Sequence, residues 1–545
     1  MPKKAKKGPS GPILVISDLH MTGGLDPRRG TWSPTEDFFW DDDFAAFLVR
    51  YGKGGGSTLV INGDVFDFLQ VLNVPTVDEL HRYGIPEADR SKRYGLRCSE
   101  PAAVFQVDTI FNGHRVAFQA LANFLMEGNE VKIIKGNHDV QLFWVSVQER
   151  ICDRLEELCQ SGRRGAIRKN LEFLPWFYYV PGLLYVEHGN QYEEATSFAN
   201  FLNPVLPFDY PGTGRHIELD LGSFIIRYFS NRMEVLDPLA DNYRPLSQFL
   251  RSFILNHPLI SISTLRDALR YVNKAVTKAY RMKSNRKSGA YRAIVEKNTL
   301  LIAKEAERFS GRDEQRGIWL YERLKEFNAR TAPPVLSRGP NSFLWNFLRD
   351  PIRALVWILP IYLVTYVPAW SNWLEGILTP ESRGWGRIMV DVIFMLRVPQ
   401  LLLAAILVMG ALEIRTLQQR ARTRKSLLED PVLRLRGTAA FIADRLGVPF
   451  VVFGHTHVED IQRFSTGSTY FNTGTWISVF SERENLYRNV SQFTFAYFEE
   501  GKGELLQWDT ARRSARPVIV MDATPYTQKE RVRWLPTLWK LIRRR

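Results

Sequence analysis

Five short apolar runs punctuate the chain, and each stops at a polar cluster. Ile13–Ile16 precedes Ser-Asp-Leu-His, Thr58–Ile61 precedes Asn-Gly-Asp-Val-Phe-Asp, and Val131–Ile134 precedes Lys-Gly-Asn-His-Asp. Leu183–Val186 precedes Glu-His-Gly-Asn, and Phe450–Phe453 precedes Gly-His-Thr-His. Runs of four or five β-branched and aromatic residues bounded by Gly or Asp predict buried strands. Helix-like segments, such as Asp43–Tyr51 and His114–Glu127, lie between the early runs. Strands alternating with helices predict an α/β or α+β layered domain. Two later runs, Thr469–Asn472 and Gln492–Phe498, have strand character and are expected to finish a second sheet.

The middle of the chain follows another pattern. From Glu193 to Arg436 it reads as mostly helical, with solvated, charge-laced helices over Leu265–Phe327 and a Pro-containing linker at Ala332–Pro340. Ala354–Trp370 carries no charge, and Ile388–Leu412 carries only Asp391 and Arg397. A membrane helix needs about 20 mostly apolar residues, with a lower limit near 17. The pair therefore predicts a membrane-inserted hairpin; two buried core helices, or a hairpin dipping into one leaflet, are the alternatives. Trp373 and Trp385 in the connecting loop suit an interface belt. Arg349 and Arg353 on one flank, and Arg415, Arg420, Arg422, Arg424 and Lys425 on the other, place both ends on the cytoplasmic side. Arg531–Arg545 interleaves Trp534, Leu535, Leu538, Trp539 and Ile542 with basic residues. That suits a helix lying on an anionic membrane, or a packed terminal helix with a basic end.

Composition narrows the classes. With 545 residues the chain has material for about three or four domains. Its 45% apolar and 24% charged residues exclude collagen-like, mucin-like and wholly disordered chains. The net charge of +14 suits an anionic partner without choosing one. Three Cys exclude a disulfide framework or a Cys-rich zinc module and suit a reducing compartment. The run Ile13–Ile16 is too short for a secretory signal, and residues 1–10 read as a solvated basic tail.

The candidate chemistry sits at the strand ends. Five of nine His fall in the clusters Asp18-x-His20, Gly63-Asp64, Gly136-Asn137-His138-Asp139, His188-Gly189 and Gly454-His455-Thr456-His457. Together they provide first-shell donors for a two-metal site. Carboxylate, amide oxygen and imidazole suit manganese, iron, zinc or cobalt rather than calcium or copper(I). Gly63, Gly136 and Gly454 are expected to supply backbone freedom at the turns. A lone Asp-x-His or Gly-Asp is weak evidence, but five clusters in one order, each after a predicted strand, are not. His81, His114, His216 and His257 lack such a pattern and read as structural. Asp41–Asp43 reads as an N-cap and first-turn acidic cluster. Arg281–Lys287 lacks an aromatic platform, so a solvated loop or lipid-headgroup contact is preferred over nucleic acid.

In these motifs the chain resembles the calcineurin-like metallophosphoesterases, whose pattern is DxH, GD, GNH(D/E), a separate His and GHxH. The resemblance spans residues 11–192 and 437–510, with a helical insert at 193–436 between them and a basic amphipathic segment at 511–545. It implies an αββα two-sheet sandwich of the α/β (α+β) class. It implies one metal on Asp18, His20 and His457, a second on Asn137, His188 and His455, and Asp64 as the bridge. His138 is implied outside the metal shell, over the phosphate, and Asp139 is implied to orient it. The expected activity is hydrolysis of a phosphodiester, phosphomonoester or pyrophosphate by a metal-activated hydroxide, with manganese the first choice of metal. Gly63–Phe68 with Glu187–Glu193 is similar to the branch of UDP-2,3-diacylglucosamine diphosphatases. That enzyme usually has GNR where His138 stands, which counts against the same substrate. An inactive metal-binding membrane scaffold is the alternative of another class. The expected surroundings are a phosphoester substrate, possibly lipid-linked, and membrane lipid.

Overall fold

The β-branched runs do form strands. In the computed structural model, β1 (Ile13–Ile16), β2 (Thr58–Asn62), β3 (Glu130–Ile134) and β4 (Leu171–Leu174) lie parallel, in that order. β5 (Phe177–Val180), β6 (Leu184–Glu187), β7 (Phe450–Phe453), β8 (Glu459–Arg463) and β9 (Thr469–Thr473) make a second sheet in the order β8-β9-β7-β6-β5. β10 (Thr494–Glu499), β11 (Lys502–Asp509) and β12 (Ser514–Pro517) extend the first sheet beyond β1. The run Gln492–Phe498 was expected in the second sheet. Instead β10 pairs antiparallel with β1, Ile13 facing Phe498. Alternation explains the choice: Ala496 and Phe498 enter the core between the sheets beside Ile13 and Val15.

That core also takes Val60, Ile134 and Leu174 from the first sheet and Leu184, Val186, Val452 and Phe471 from the second. Leu14, Ile16, Leu59 and Ile61, on the alternate positions, are buried as well, so the parallel strands are covered on both faces. The structure describes residues 11–234, 243–244, 288–334, 431–483, 486–489 and 492–518, less residues 28, 91–93, 160–164, 210–211, 213 and 312. The chain divides into two units, residues 1–337 with 434–545, and residues 338–433. All of the second unit but residues 431–433 lies outside the described residues, as do the basic tail, most of the linker, Arg281–Lys287, the hairpin segments 354–370 and 388–412, and Arg531–Arg545. Among the described residues no helix is long and apolar enough to cross a membrane.

Helices cover both outer faces. On the first sheet lie α1 (Asp41–Gly52), α2 (Glu100–Gly113), α3 (Arg115–Met126) and α4 (Val145–Glu157). Phe44, Phe47 and Leu48 of α1 recur at helical spacing and are buried. Phe47 meets Trp476, Phe495 and Trp508 edge-on at 5.0–5.6 Å. Burying one such ring stabilises the fold by about 1.5–3 kcal/mol. On the second sheet lie α5 (Gly289–Ser310), α6 (Glu314–Arg330) and α7 (Pro431–Leu446). α5 and α6 were expected to be solvated. Each instead buries one stripe, Ile302 with Ala306 and Leu320 with Leu324 and Phe327. Phe309 stacks on Phe177, and Phe327 meets Tyr185 and Phe441. Apart from the buried Glu305, the charges lie mostly on the opposite faces, which hides a narrow apolar stripe from a composition count.

His114 has the structural place expected of it, at the junction of α2 and α3. Its Nδ1 lies 3.0 Å from Asp41 and its Nε2 3.2 Å from Glu36. Asp41 thus serves as a first-turn partner, while the N-cap position is held by Trp40 with no side-chain cap. Burial disfavours the imidazolium, but Glu36 and Asp41 outweigh it and carry the pKa to about 10. A raised pKa stabilises fully below the unfolded value near 6.5, and the contribution fades as pH climbs through about 10. His114→Gln should therefore cost about 3–5 kcal/mol at pH 7, and less toward pH 10. Urea unfolding of both proteins across that range checks it; a pH-independent gap would contradict the charged triad.

Candidate metal centre

The loops after β1 and β2 run side by side at one end of the sheets. Asp18 N–H donates to Gly63 O, His20 N–H to Asp64 O, and Met21 N–H to Val65 O, at 2.9–3.2 Å. From the second sheet, Gly454 N–H donates to His188 O at 3.0 Å. Carboxylates stitch the remaining loops. Asp18 Oδ2 accepts His455 N–H at 3.0 Å, and Asp64 Oδ1 accepts His138 N–H at 2.8 Å. Each aspartate thus spends one oxygen on the framework and presents the other to the site.

The backbone is strained where the donors sit. Asp18, His20, Asp64, His455 and His457 all have φ between 48° and 72°, the left-handed region that side chains disfavour. Such residues cost about 1–3 kcal/mol each and persist where the surroundings impose them, commonly at functional sites. The turns were expected to rely on glycine freedom at Gly63, Gly136 and Gly454. Of these only Gly63 has positive φ. Gly136 and Gly454 serve by being small: a Cβ on Gly136 would collide with Asp64, and one on Gly454 with Ser17 and Asp18.

Among the described residues three groups of possible donors result, two built on Asp18 and Asp64 and a third made of His20, Asp67 and His138. In the first, His20 Nε2 lies 3.0 Å from His457 Nε2, and Asp18 Oδ1 lies 3.4 Å from His457 Nε2 and 3.8 Å from His20 Nε2. In the second, Asp64, His188 and His455 offer atoms within 4.8 Å of one another. Asp64 Oδ2 stands between the groups, 3.0 Å from His188 Nε2 and 4.0 Å from His20 Nε2. Asp18 Oδ1, Asn137 Oδ1 and His188 Nε2 are buried without a hydrogen-bond partner. Buried polar atoms are seldom left so. His188 Nδ1 donates to Asn62 O at 2.8 Å, so the neutral ring keeps its lone pair on Nε2. Imidazole, carboxylate and amide donors whose free atoms converge in this way fit divalent metal ions.

The charges agree with that picture. Burial opposes ionisation of Asp18 and Asp64, yet the surrounding histidines hold both carboxyls below the usual range. Burial also opposes the His188 and His138 cations, and neighbouring aspartates raise each to about 9. A metal would replace the proton on His188 and release it on binding.

His138 is held, but not by Asp139. Its Nδ1 lies 2.5 Å from Asp67 Oδ2, which also stands 3.4 Å from His20 Nδ1. Asp67 is wholly buried; burial raises its pKa, but His138 and His20 bring it down to about 2. Asp139 instead accepts Gly136 N–H at 2.6 Å and Val65 N–H at 2.9 Å, clamping two loops together. Burial and the charge of Asp64 raise its carboxyl to about 7. The orienting role expected of Asp139 therefore passes to Asp67. Its only sequence signal is the second Asp of Gly-Asp-Val-Phe-Asp, three residues past Asp64. Glu193 and Thr196, both on His455 Nε2, had no signal beyond following Glu-His-Gly-Asn.

Residues 11–227 match the family model for calcineurin-like phosphoesterases. No curated protein and no solved structure matches the chain. The match supports the metallophosphoesterase family and, with the His/Asp groups, a metal-dependent phosphoester hydrolase. The calcineurin-like match contains Asp18, His20, Asp64, Asn137, His138 and His188. His455 and His457 lie far outside it in sequence, yet they close both donor groups.

Proposed function

We propose that this protein is a binuclear metal-dependent phosphoesterase attached to the membrane, its catalytic domain facing the cytoplasm. The observation that carries the catalytic part is the placement of Asp64 Oδ2 between two donor groups, each with two histidines. Asp18, His20 and His457 would hold one ion and Asn137, His188 and His455 the other, with Asp64 shared. Manganese is the first choice of metal, with iron, zinc and cobalt as alternatives. Two such ions supply Lewis-acid charge and a water of lowered pKa.

The chain's own groups do the rest. Asp67 accepts from His138 Nδ1, which fixes the ring and leaves Nε2–H as the proton donor. His138 is 15% exposed, so a substrate can reach it. Burial opposes its cation, and Asp67, whose charge no ion shares in this reading, favours it. A cation there neutralises charge gathering on a phosphate, and its proton passes to the leaving oxygen.

The membrane part rests on the uncharged stretch Ala354–Trp370 and its basic flanks. The motif Gly-Asp-Val-Phe-Asp with His-Gly and Gly-His-Thr-His favours, as a second reading, a diphosphatase of a nucleotide-linked glycolipid. His138 in place of arginine argues for a different substrate within that class. One experiment tests attachment and chemistry together. Membranes expressing the protein are washed at alkaline pH, then assayed with bis(p-nitrophenyl) phosphate and manganese. Activity should stay in the membrane pellet and disappear in chelator. Activity in the wash would refute attachment, and chelator-resistant hydrolysis would refute the metal.

A further inference from the structure

We propose that Glu193 and Thr196 are positioning residues that lock His455 in a single tautomer and thereby set the affinity of the ion it shares with Asp64 and His188. The proposal rests on the metal-centre reading above.

The argument is one of donors and acceptors. His455 Nε2 lies 3.0 Å from Glu193 Oε2 and 3.1 Å from Thr196 Oγ1. An ionised carboxylate can only accept. The hydroxyl proton of Thr196 already goes to Asn190 O, 3.0 Å away, so toward His455 this hydroxyl too can only accept. Two acceptors face one ring nitrogen, and Nε2 must carry the hydrogen. The lone pair is thereby assigned to Nδ1, the nitrogen left for a metal.

The loop that imposes this is knit to itself. Asn190 Nδ2 donates to Thr196 O at 3.0 Å, and Ser197 N–H to Glu193 O at 3.0 Å. His188, in the same donor group, is held by the neutral carbonyl of Asn62. His455 is held instead by the carboxylate of Glu193. Glu193 is also the first residue of the expected insert. The insert would then contribute to the centre itself, and not only to its surroundings.

The test uses the full-length protein, stripped with chelator and titrated with manganese by calorimetry. Wild type should take up two ions. In Glu193→Ala one ion should bind about 10–100-fold more weakly while the other keeps its affinity. Glu193→Gln retains an acceptor and should lose less. The melting temperature without metal should not move. Two ions bound by Glu193→Ala at wild-type affinity would overturn the proposal. So would a lowered metal-free melting temperature with both ions weakened alike, which marks a merely structural residue. A wild-type protein that takes up no manganese, zinc, iron or cobalt would instead bring down the metal-centre reading itself.

Discussion

Asp64→Ala should empty the centre and end catalysis together. One oxygen of Asp64 takes the His138 amide at 2.8 Å, while the other faces His188 and His20 across the two groups. Alanine removes a shared donor, a charge that three histidines answer, and the hydrogen bond that seats the His138 loop. Elemental analysis of wild type should find about two ions per chain, and the variant should hold fewer than one. Loss of a single preorganised donor costs about 10²–10³ in turnover, so the loss here should be at least that large. Asp64→Asn keeps the shape and drops the charge, which separates the electrostatic effect from folding. A variant with two ions and undiminished turnover would remove Asp64 from the bridging position.

His138→Ala should behave differently. The side chain hangs on Asp67, which with His20 makes a third group of possible donors, separate from the groups built on Asp18 and Asp64. Metal content should stay near wild type. Turnover should fall by about 10²–10⁴-fold, the range for a general acid or an equivalent charge. The loss should be smaller for a substrate whose leaving group is a nitrophenolate, because that oxygen leaves without a proton. Comparing nitrophenyl and alkyl phosphodiesters measures this. Equal losses on both would leave His138 a charge and not an acid, and loss of metal would put it inside the metal shell.

The strand ends and their donors were legible in the sequence because each strand is a short β-branched run and each donor follows within four residues of its end. Ile13–Ile16 and Phe450–Phe453 needed no correction at either end. What sequence order hides is partnership. Asp139 adjoins His138 along the chain, but its carboxylate goes to the amides of Gly136 and Val65. Asp67 lies 71 residues from His138, yet its carboxylate meets the His138 ring while Asp64, on the same loop, takes the His138 amide. The stripe on α6 was missed for another reason. Leu320, Leu324 and Phe327 are the three buried positions of a 17-residue helix in which nine residues are charged or carry an amide, and a stripe that narrow vanishes in an average. The sheet assignment of β10 turned on its distant partner β1, which no local pattern specifies.

His20 and His457 touch although 437 positions separate them. At about 5–20 residues per second, a ribosome needs roughly 20–90 seconds to make that stretch. β1 meanwhile waits for β10, the strand that pairs with its free side. A nascent chain therefore carries the edge of a buried apolar strand, open to mispairing, until β10 emerges. It also carries only two of the three members of each donor group until His455 and His457 emerge. Chaperone holding during translation, and metal loading only after it, are what this ordering demands of the cell.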